Sequence, residues 1–92
     1  MSTLHVVSHS PFTDSRLASC LRICGADDAI LLCGDGAYGL HNPALQARGV
    51  KVFVLAEDSQ ARNLAVPEWA GSVDYPAFVQ LSIDYDKVNT WL

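Results

Sequence analysis

The sequence predicts an α/β fold: a small three-layer αβα domain on a mostly parallel sheet of four or five strands. The run Ala29 to Cys33 is apolar at every position. Such a run is typical of a parallel strand covered by helices on both faces, because a half-exposed strand alternates apolar and polar residues. Segments of strand composition also alternate with segments of helical spacing along the chain, as in βαβ units.

The length and the composition indicate one domain that has partners. The 92 residues have no stretch of linker composition, and a typical domain has about 100 to 150 residues. We therefore predict a single domain over residues 1–92. Half of the residues are apolar and only 17% are charged, below the usual ~25%. This surplus of apolar residues favours burial against partner subunits.

Charge and hydropathy disfavour binding to nucleic acid and insertion into a membrane. The formal net charge is −4 and no basic run occurs, so direct binding to nucleic acid is disfavoured. The start of the sequence has no signal pattern, and no apolar run approaches the ~20 residues of a membrane span. Three cysteines, an odd number, point to free thiols in a reducing compartment. We expect a cytoplasmic protein with no membrane segment.

The first half of the chain reads as a βαβ unit followed by a second helix. A strand is expected at 3–8, then a helix at 14–24 capped by Thr13 or Asp14. The apolar face of this helix comprises Leu17, Leu21 and Cys24, with Cys20 and Ala18 at its margins. After the central strand, Asn42 is expected to cap a helix with Pro43 in its first turn and Gly49 as its left-handed end.

The second half repeats the alternation less clearly. A third strand is expected at 50–56, then a short helix to Leu64 that is capped by Glu57-Asp58 and stopped by Asn63. Residues 65–72 read as a loop, and 73–75 as a weak fourth strand. A helix is expected at about 76–85, capped by Asp74 or Tyr75. The last residues, 88–92, should form a fifth strand or dock on a partner, because a Trp ring buries roughly 200 Å².

The carboxyl ends of the predicted strands bring several polar groups to one edge of the sheet. These are Ser8-His9-Ser10, Asp35, Glu57-Asp58 and Asp74. Such a rim has the oxygen ligands of a Mg²⁺ or Ca²⁺ pocket. Glu57, Asp58 and Asp74, however, stand where helix N-caps are expected. The cysteines lack the ligand spacing of a zinc site. We therefore expect no metal and no cofactor, and an acidic pocket for a metal or small ligand remains the alternative.

Cys20 is the best candidate for a working thiol. It lies at the margin of its helix face, and Arg16, one turn earlier, would lower the pKa of the thiol modestly. Cys24 and Cys33 read as small core residues.

The chain resembles the TusB/DsrH family of sulfur-relay subunits over nearly its whole length. The segments that carry the resemblance are Leu4-His5-Val6-Val7-Ser8-His9-Ser10-Pro11-Phe12, Ser19-Cys20-Leu21, Leu31-Leu32-x-x-Asp35-Gly36-x-Tyr38, Val52-x-Val54-Leu55-x-x-Asp58-x-x-Ala61-Arg62, Val73-Asp74-Tyr75-x-x-Phe78-Val79-x-Leu81 and Trp91-Leu92. Ser19-Cys20-Leu21 and the Trp91-Leu92 ending look more like DsrH-type members.

The resemblance implies a DsrE/F-like domain in a sulfurtransferase complex that passes persulfide sulfur between proteins. Its partners would be a DsrE/TusD-like and a DsrF/TusC-like subunit, two copies of each of the three chains forming a heterohexamer, and a DsrC/TusE-like sulfur acceptor. The sulfur would serve either tRNA wobble-uridine 2-thiolation or dissimilatory sulfur oxidation.

The resemblance also suggests roles for individual residues. A family cysteine matches Cys20, which would then accept sulfur, although the principal sulfur-carrying cysteine of the family belongs to a partner subunit. This chain is therefore expected to be an accessory subunit rather than a catalytic one. Asp35, Tyr38 and Trp91 are predicted to contact partners or order the loops that do so.

Overall fold

A computed structural model of the chain describes residues 2–10 and 16–91. The elements are, in order, β1 (Thr3–Val7), α1 (Arg16–Ile23), β2 (Ala29–Leu32), a 3₁₀ helix (Gly34–His41), α2 (Pro43–Arg48), β3 (Lys51–Leu55), α3 (Ala56–Ala61), β4 (Ala70–Val73), α4 (Tyr75–Asp84) and β5 (Lys87–Trp91). The expected caps Thr13 and Asp14 lie outside the described residues.

The five strands form one sheet in the order β4-β3-β2-β1-β5, and every neighbouring pair is parallel. The predicted α/β class with a parallel sheet is therefore confirmed. β2, the strand read as central in the sequence, lies in the middle, and all four of its residues are buried. Its apolar composition on both faces follows from that position.

The chain crosses the sheet in one direction and then returns. From β1 to β4 each strand is added to the same side, whereas β5 pairs with the opposite side of β1. Because crossovers of parallel strands are right-handed, this reversal places α4 on the face opposite to the earlier helices. The sheet is thus covered on both faces, which gives the three predicted layers.

Two apolar clusters correspond to the two faces. The first joins side chains of α1, the 3₁₀ helix and α2 to alternate strand residues: Leu17, Cys20, Leu21, Ala37, Leu40 and Leu45 against Val7, Ile30, Leu32, Val52 and Val54. The second joins Leu4, Val6, Ala29, Leu31 and Leu55 to Phe78, Leu81 and Tyr85. Successive residues of a strand point to opposite faces, so each apolar strand supplies both clusters.

The two edge strands differ from their expected bounds. β4 begins at Ala70, so the loop predicted at 65–72 is correct for residues 65–69 and wrong for 70–72. Of the fourth strand predicted at 73–75, only Val73 belongs to β4, because α4 begins at Tyr75. The residues of β4 are mostly half-buried, because an edge strand has a neighbouring strand on one side only. Gly71 packs beside the Phe53 ring, where an added Cβ would lie 3.1 Å from Cδ1. β5 confirms the expected fifth strand and pairs Trp91 with Val7.

Most helix ends follow the sequence signals. The Asn42 side chain accepts the N–H of Ala44 at 3.0 Å, and Asp74 accepts that of Ala77 at 2.9 Å. Gly49 and Asn63 have φ angles of 70° and 54°, the left-handed conformations expected of them. The predicted capping of α3 by Glu57-Asp58 is wrong, because the helix begins at Ala56 and Leu55 occupies its N-cap without a side-chain hydrogen bond.

Within residues 2–10 and 16–91, no helix is long and apolar enough to cross a membrane.

Candidate functional site

Cys20 lies in the core rather than at an accessible margin. Its side chain is fully buried on the inner face of α1. Burial raises the pKa of the Cys20 thiol far above its ordinary value, and the neighbouring Cys24 raises it further. The expected lowering of this pKa by Arg16 is therefore wrong. In this conformation Cys20 is a protonated thiol without contact to solvent.

Cys20 has a second thiol beside it. Its Sγ lies 3.9 Å from Sγ of Cys24, one helical turn later. Cys24 is also buried, as expected, but at the end of α1, and its carbonyl accepts Nη2 of Arg48 at 3.0 Å. Burial raises the pKa of Cys24, while the hydrogen bond with Cys20 and the charge of Arg48 act to lower it. The two thiols form a donor and acceptor pair.

Cys33 is separate from this pair. It follows β2 at the carboxyl edge of the sheet, is half-buried, and its Sγ lies 3.9 Å from the carbonyl oxygen of Val7. Burial and the charge of Asp58 raise the pKa of its thiol. All three cysteines are free thiols.

Asp28, immediately before β2, is a hub of hydrogen bonds. Its Oδ1 accepts the backbone N–H of Thr3 at 2.9 Å, and its Oδ2 accepts that of Gly25 at 2.9 Å. Nε2 of His5 lies 3.2 Å from the same Oδ2. The bond from Gly25, with those from Thr3 and His5, holds the pKa of Asp28 below its ordinary value. Asp28 thereby ties the start of β1 to the end of α1.

The other ring nitrogen of His5 fixes its tautomer. Nε1 of Trp91 lies 3.1 Å from Nδ1 of His5, which is buried. An indole N–H can only donate, so Nδ1 must accept and the proton of neutral His5 is assigned to Nε2, facing Asp28. Trp91, His5 and Asp28 form a continuous chain of hydrogen bonds from β5 to β2.

His5 and Asp28, together with Cys24, offer ligand atoms of the kind that hold a metal, but the hydrogen bonds of His5 disfavour metal binding. One ligand atom each of His5, Cys24 and Asp28 lies within 4.8 Å of the others, and nitrogen, sulfur and oxygen donors suit zinc. A metal on Nε2 would displace its proton and place one on Nδ1, against the donor N–H of Trp91. The described hydrogen bonds therefore fit a structural cluster rather than a metal centre.

The carboxyl rim contains an ion-pair cluster around Arg62. Its Nη2 lies 3.0 Å from Oδ1 of Asp35, and its Nη1 donates to the carbonyl of Asp58 at 3.2 Å. The guanidinium carbon lies 6.0 Å from the centre of the Tyr38 ring. Asp58 also accepts the N–H of Gly34 at 2.8 Å. Hydrogen bonding to Asp35 raises the pKa of Arg62 above its ordinary value.

These contacts decide how the predicted rim is used. Asp35 and Asp58 do meet at the carboxyl edge, as expected, but a cation of the chain lies between them. Asp74 caps α4. The acidic pocket for Mg²⁺ or Ca²⁺ is not favoured, because Arg62 already supplies the positive charge such a pocket would attract. The Gly34-Asp35-Gly36 turn starts the 3₁₀ helix that carries Tyr38.

Two residues of these clusters were missed by sequence reasoning. Arg62 stands four residues after Asp58, a spacing that predicts a pair on one helix side, so this signal was present. Asp28 was not identified as a site residue. Its partners come from residues 3, 5 and 25, and only the β1–β2 register brings them together.

The fold and the buried thiols define the class: a small three-layer α/β domain with an all-parallel five-stranded sheet and cysteines in its core. A family model described as "DsrH like protein" matches residues 9–88. The chain therefore belongs to the DsrH-like family, as the sequence resemblance predicted, and membership supports a role as a sulfur-relay subunit in general.

One solved structure agrees with this fold over the whole chain. The ychN protein from E. coli superposes with a TM-score of 0.76 at 19% sequence identity, covering 99% of this chain and 100% of that one. At this identity the similarity concerns the fold alone. No curated protein matches the chain.

Proposed function

We propose that this chain is an accessory, non-catalytic subunit of a cytoplasmic sulfur-relay complex. It assembles with a DsrE/TusD-like and a DsrF/TusC-like subunit, two copies of each chain, and the complex passes persulfide sulfur to a DsrC/TusE-like acceptor. The family match over residues 9–88 carries this proposal. The burial and high pKa of Cys20 support the accessory role, because sulfur transfer requires an accessible thiolate.

The outer side of α4 supports assembly with other subunits. Tyr75, Val79 and Ile83 follow one another at intervals of four residues, and their side chains are 50%, 56% and 70% exposed. Residues at this spacing lie on one side of a helix. Aligned apolar side chains at this exposure are typical of a surface that a partner covers.

The carboxyl rim supplies a second, polar surface for contact with a partner subunit. The Asp35 side chain is 63% exposed although it pairs with Arg62. We propose that Asp35 and Tyr38 contact a partner subunit. Trp91 is half-buried and its N–H is bonded to His5, so its proposed part is to order the edge strand β5.

In the alternative, catalytic role, Cys20 would accept sulfur. Intact-mass analysis distinguishes this role from the accessory one. After incubation with a persulfide donor under native conditions, the accessory role predicts no stable gain of about 32 Da, the mass of one sulfur atom. A gain on the wild-type protein and on Cys33→Ser, but not on Cys20→Ser, would make Cys20 a sulfur acceptor and contradict the accessory role.

We place the complex closer to DsrH-type members, on the strength of Ser19-Cys20-Leu21 and Trp91-Leu92. The two proposed destinations of the sulfur are tRNA wobble-uridine 2-thiolation and dissimilatory sulfur oxidation. Deleting the gene distinguishes them. Loss of 2-thiouridine from tRNA supports the first destination, whereas unchanged tRNA together with impaired oxidation of reduced sulfur compounds supports the second.

A further inference from the structure

We infer that Cys20 and Cys24 form a redox-active dithiol that closes to an intramolecular disulfide by exchange with a small-molecule disulfide. The inference rests on the two sulfur atoms and their surroundings, and it is independent of the relay proposal. It assigns a role to Cys24, which sequence reasoning treated as a small core residue.

The geometry brings the two sulfurs to contact distance without a bond between them. Sγ of Cys20 and Sγ of Cys24 are 3.9 Å apart. Cys24 follows the last residue of α1 and its N–H still bonds to the carbonyl of Cys20 at 3.1 Å. Positions i and i+4 of a helix have Cα atoms about 6 Å apart, within the range that a disulfide spans.

The surroundings make Cys24 the attacking thiol. A hydrogen bond joins its thiol to that of Cys20, and the Arg48 guanidinium donates to its carbonyl. Both effects act to lower the pKa of Cys24 against its burial and the charge of Asp28. Access also favours Cys24, because it is 9% exposed whereas Cys20 is fully buried. Helix ends fray, so opening the last turn of α1 uncovers Cys24 first.

The exchange proceeds in two balanced steps. The Cys24 thiolate attacks one sulfur of glutathione disulfide, forms a mixed disulfide and releases one glutathione thiolate. While the last turn of α1 is open, Cys20 loses its proton to solvent and attacks Sγ of Cys24, which forms the Cys20–Cys24 bond and releases the second glutathione. The two cysteines are oxidised, and one glutathione disulfide is reduced to two glutathione molecules.

The closed form is expected to be strained and easily reduced. Cβ atoms at i and i+4 are about 5–6 Å apart on a regular helix, whereas a disulfide needs about 3.5–4.5 Å. The last turn of α1 must therefore distort for the bond to form. Strained disulfides are the readily reduced ones, so the pair is expected to cycle rather than to act as a permanent cross-link.

Equilibration of the full chain in glutathione buffers tests the inference. The Cys33→Ser variant is equilibrated at rising fractions of glutathione disulfide, quenched with acid, denatured and alkylated. Its two remaining cysteines should become inaccessible to alkylation together, and dithiothreitol should restore both. Digestion with trypsin cleaves after Arg22, between the two cysteines, so peptide 17–22 should be linked to peptide 23–48. The Cys33→Ser background makes that link unambiguous.

Two variants complete the test. Cys20→Ser and Cys24→Ser, each checked for folding by circular dichroism, should form no intramolecular link. Two alkylatable thiols in Cys33→Ser at the most oxidising ratio would overturn the inference, as would a stable mixed disulfide with glutathione on Cys24. The linked peptides are read from Cys33→Ser, so the result stands even if a Cys20 variant unfolds.

Discussion

The indole N–H of Trp91 donates to Nδ1 of His5 at 3.1 Å, joining two residues 86 positions apart in the sequence. The rings are tilted by 42°, with their centres 6.2 Å apart. Because Nδ1 lies in the buried interior, this bond satisfies an acceptor that water does not reach. The last strand is thus held to the first by a side-chain hydrogen bond as well as by backbone pairing.

Replacing Trp91 tests the value of this bond. Trp91→Phe leaves Nδ1 of His5 without a donor, and an unsatisfied buried acceptor costs about 1–3 kcal/mol. Trp69→Phe is the matched control, since Trp69 is also a half-buried ring packed on the first apolar cluster. Urea denaturation should show a larger loss of unfolding free energy for Trp91→Phe. Equal losses would show that the hydrogen bond contributes nothing beyond ring volume.

Asp28 predicts an acid-sensitive fold. Its folded-state pKa is depressed, so its contribution to stability is fully present above the ordinary carboxyl pKa of ~3.9 and is lost as the pH falls through the folded value. Asp28→Asn should lower the unfolding free energy near neutral pH and flatten its decline below about pH 4.

Asp27→Asn is the control for this measurement, because Asp27 is the exposed neighbour. It should retain the acid decline of the wild-type protein. An unchanged acid slope in Asp28→Asn would contradict the role given to this carboxylate.

Gly36 should tolerate no side chain. A Cβ at this position would overlap the carbonyl oxygen of Val7, which also accepts the N–H of Cys33 at 3.1 Å. Overpacking against fixed backbone costs about 1–3 kcal/mol, so Gly36→Ala should lower the melting temperature clearly. Gly25→Ala is the comparison, since its added Cβ comes no nearer than 3.6 Å to Asp28. Similar melting temperatures for both variants would refute the close approach.

A charge on the outer side of α4 should weaken assembly without unfolding the subunit. Ile83→Glu places a carboxylate among exposed apolar side chains, so the isolated chain should lose less than about 0.5 kcal/mol. Recovery of partner subunits in a pull-down should fall. Gln60→Glu, an exposed position on α3, adds the same charge and should leave recovery unchanged. Undiminished recovery with Ile83→Glu would exclude this surface from the interface.

The central strands were predictable because their apolar composition indicates that both of their faces are buried. Ala29 to Leu32 and Val52 to Leu55 are apolar on both faces, as is typical of a covered parallel strand. β4 was placed too late because it is an edge strand, and its residues Ala70, Gly71 and Ser72 form no continuous apolar run. β4 is recognised as a strand by its pairing with β3, and the local sequence does not reveal this pairing.

The site residues show the same division. Asp74 and Asn42 act within their own helix ends, and local rules predicted both. Asp58 is a residue type that often caps helices, but its side chain accepts the N–H of Gly34 in the 3₁₀ helix instead. Cys20 was placed at a margin by helical spacing, whereas its side chain is fully buried in the first apolar cluster. Contacts that depend on strand register could not be read from spacing alone.

Co-expression with its two predicted subunit types tests the central claim most directly. The chain, a DsrE/TusD-like subunit and a DsrF/TusC-like subunit from the same genome would be purified through a tag on this chain and analysed by light scattering after size exclusion. We predict one complex with two copies of each. If this chain elutes alone while the other two associate with each other, it is not a subunit of their relay complex, and the account is contradicted.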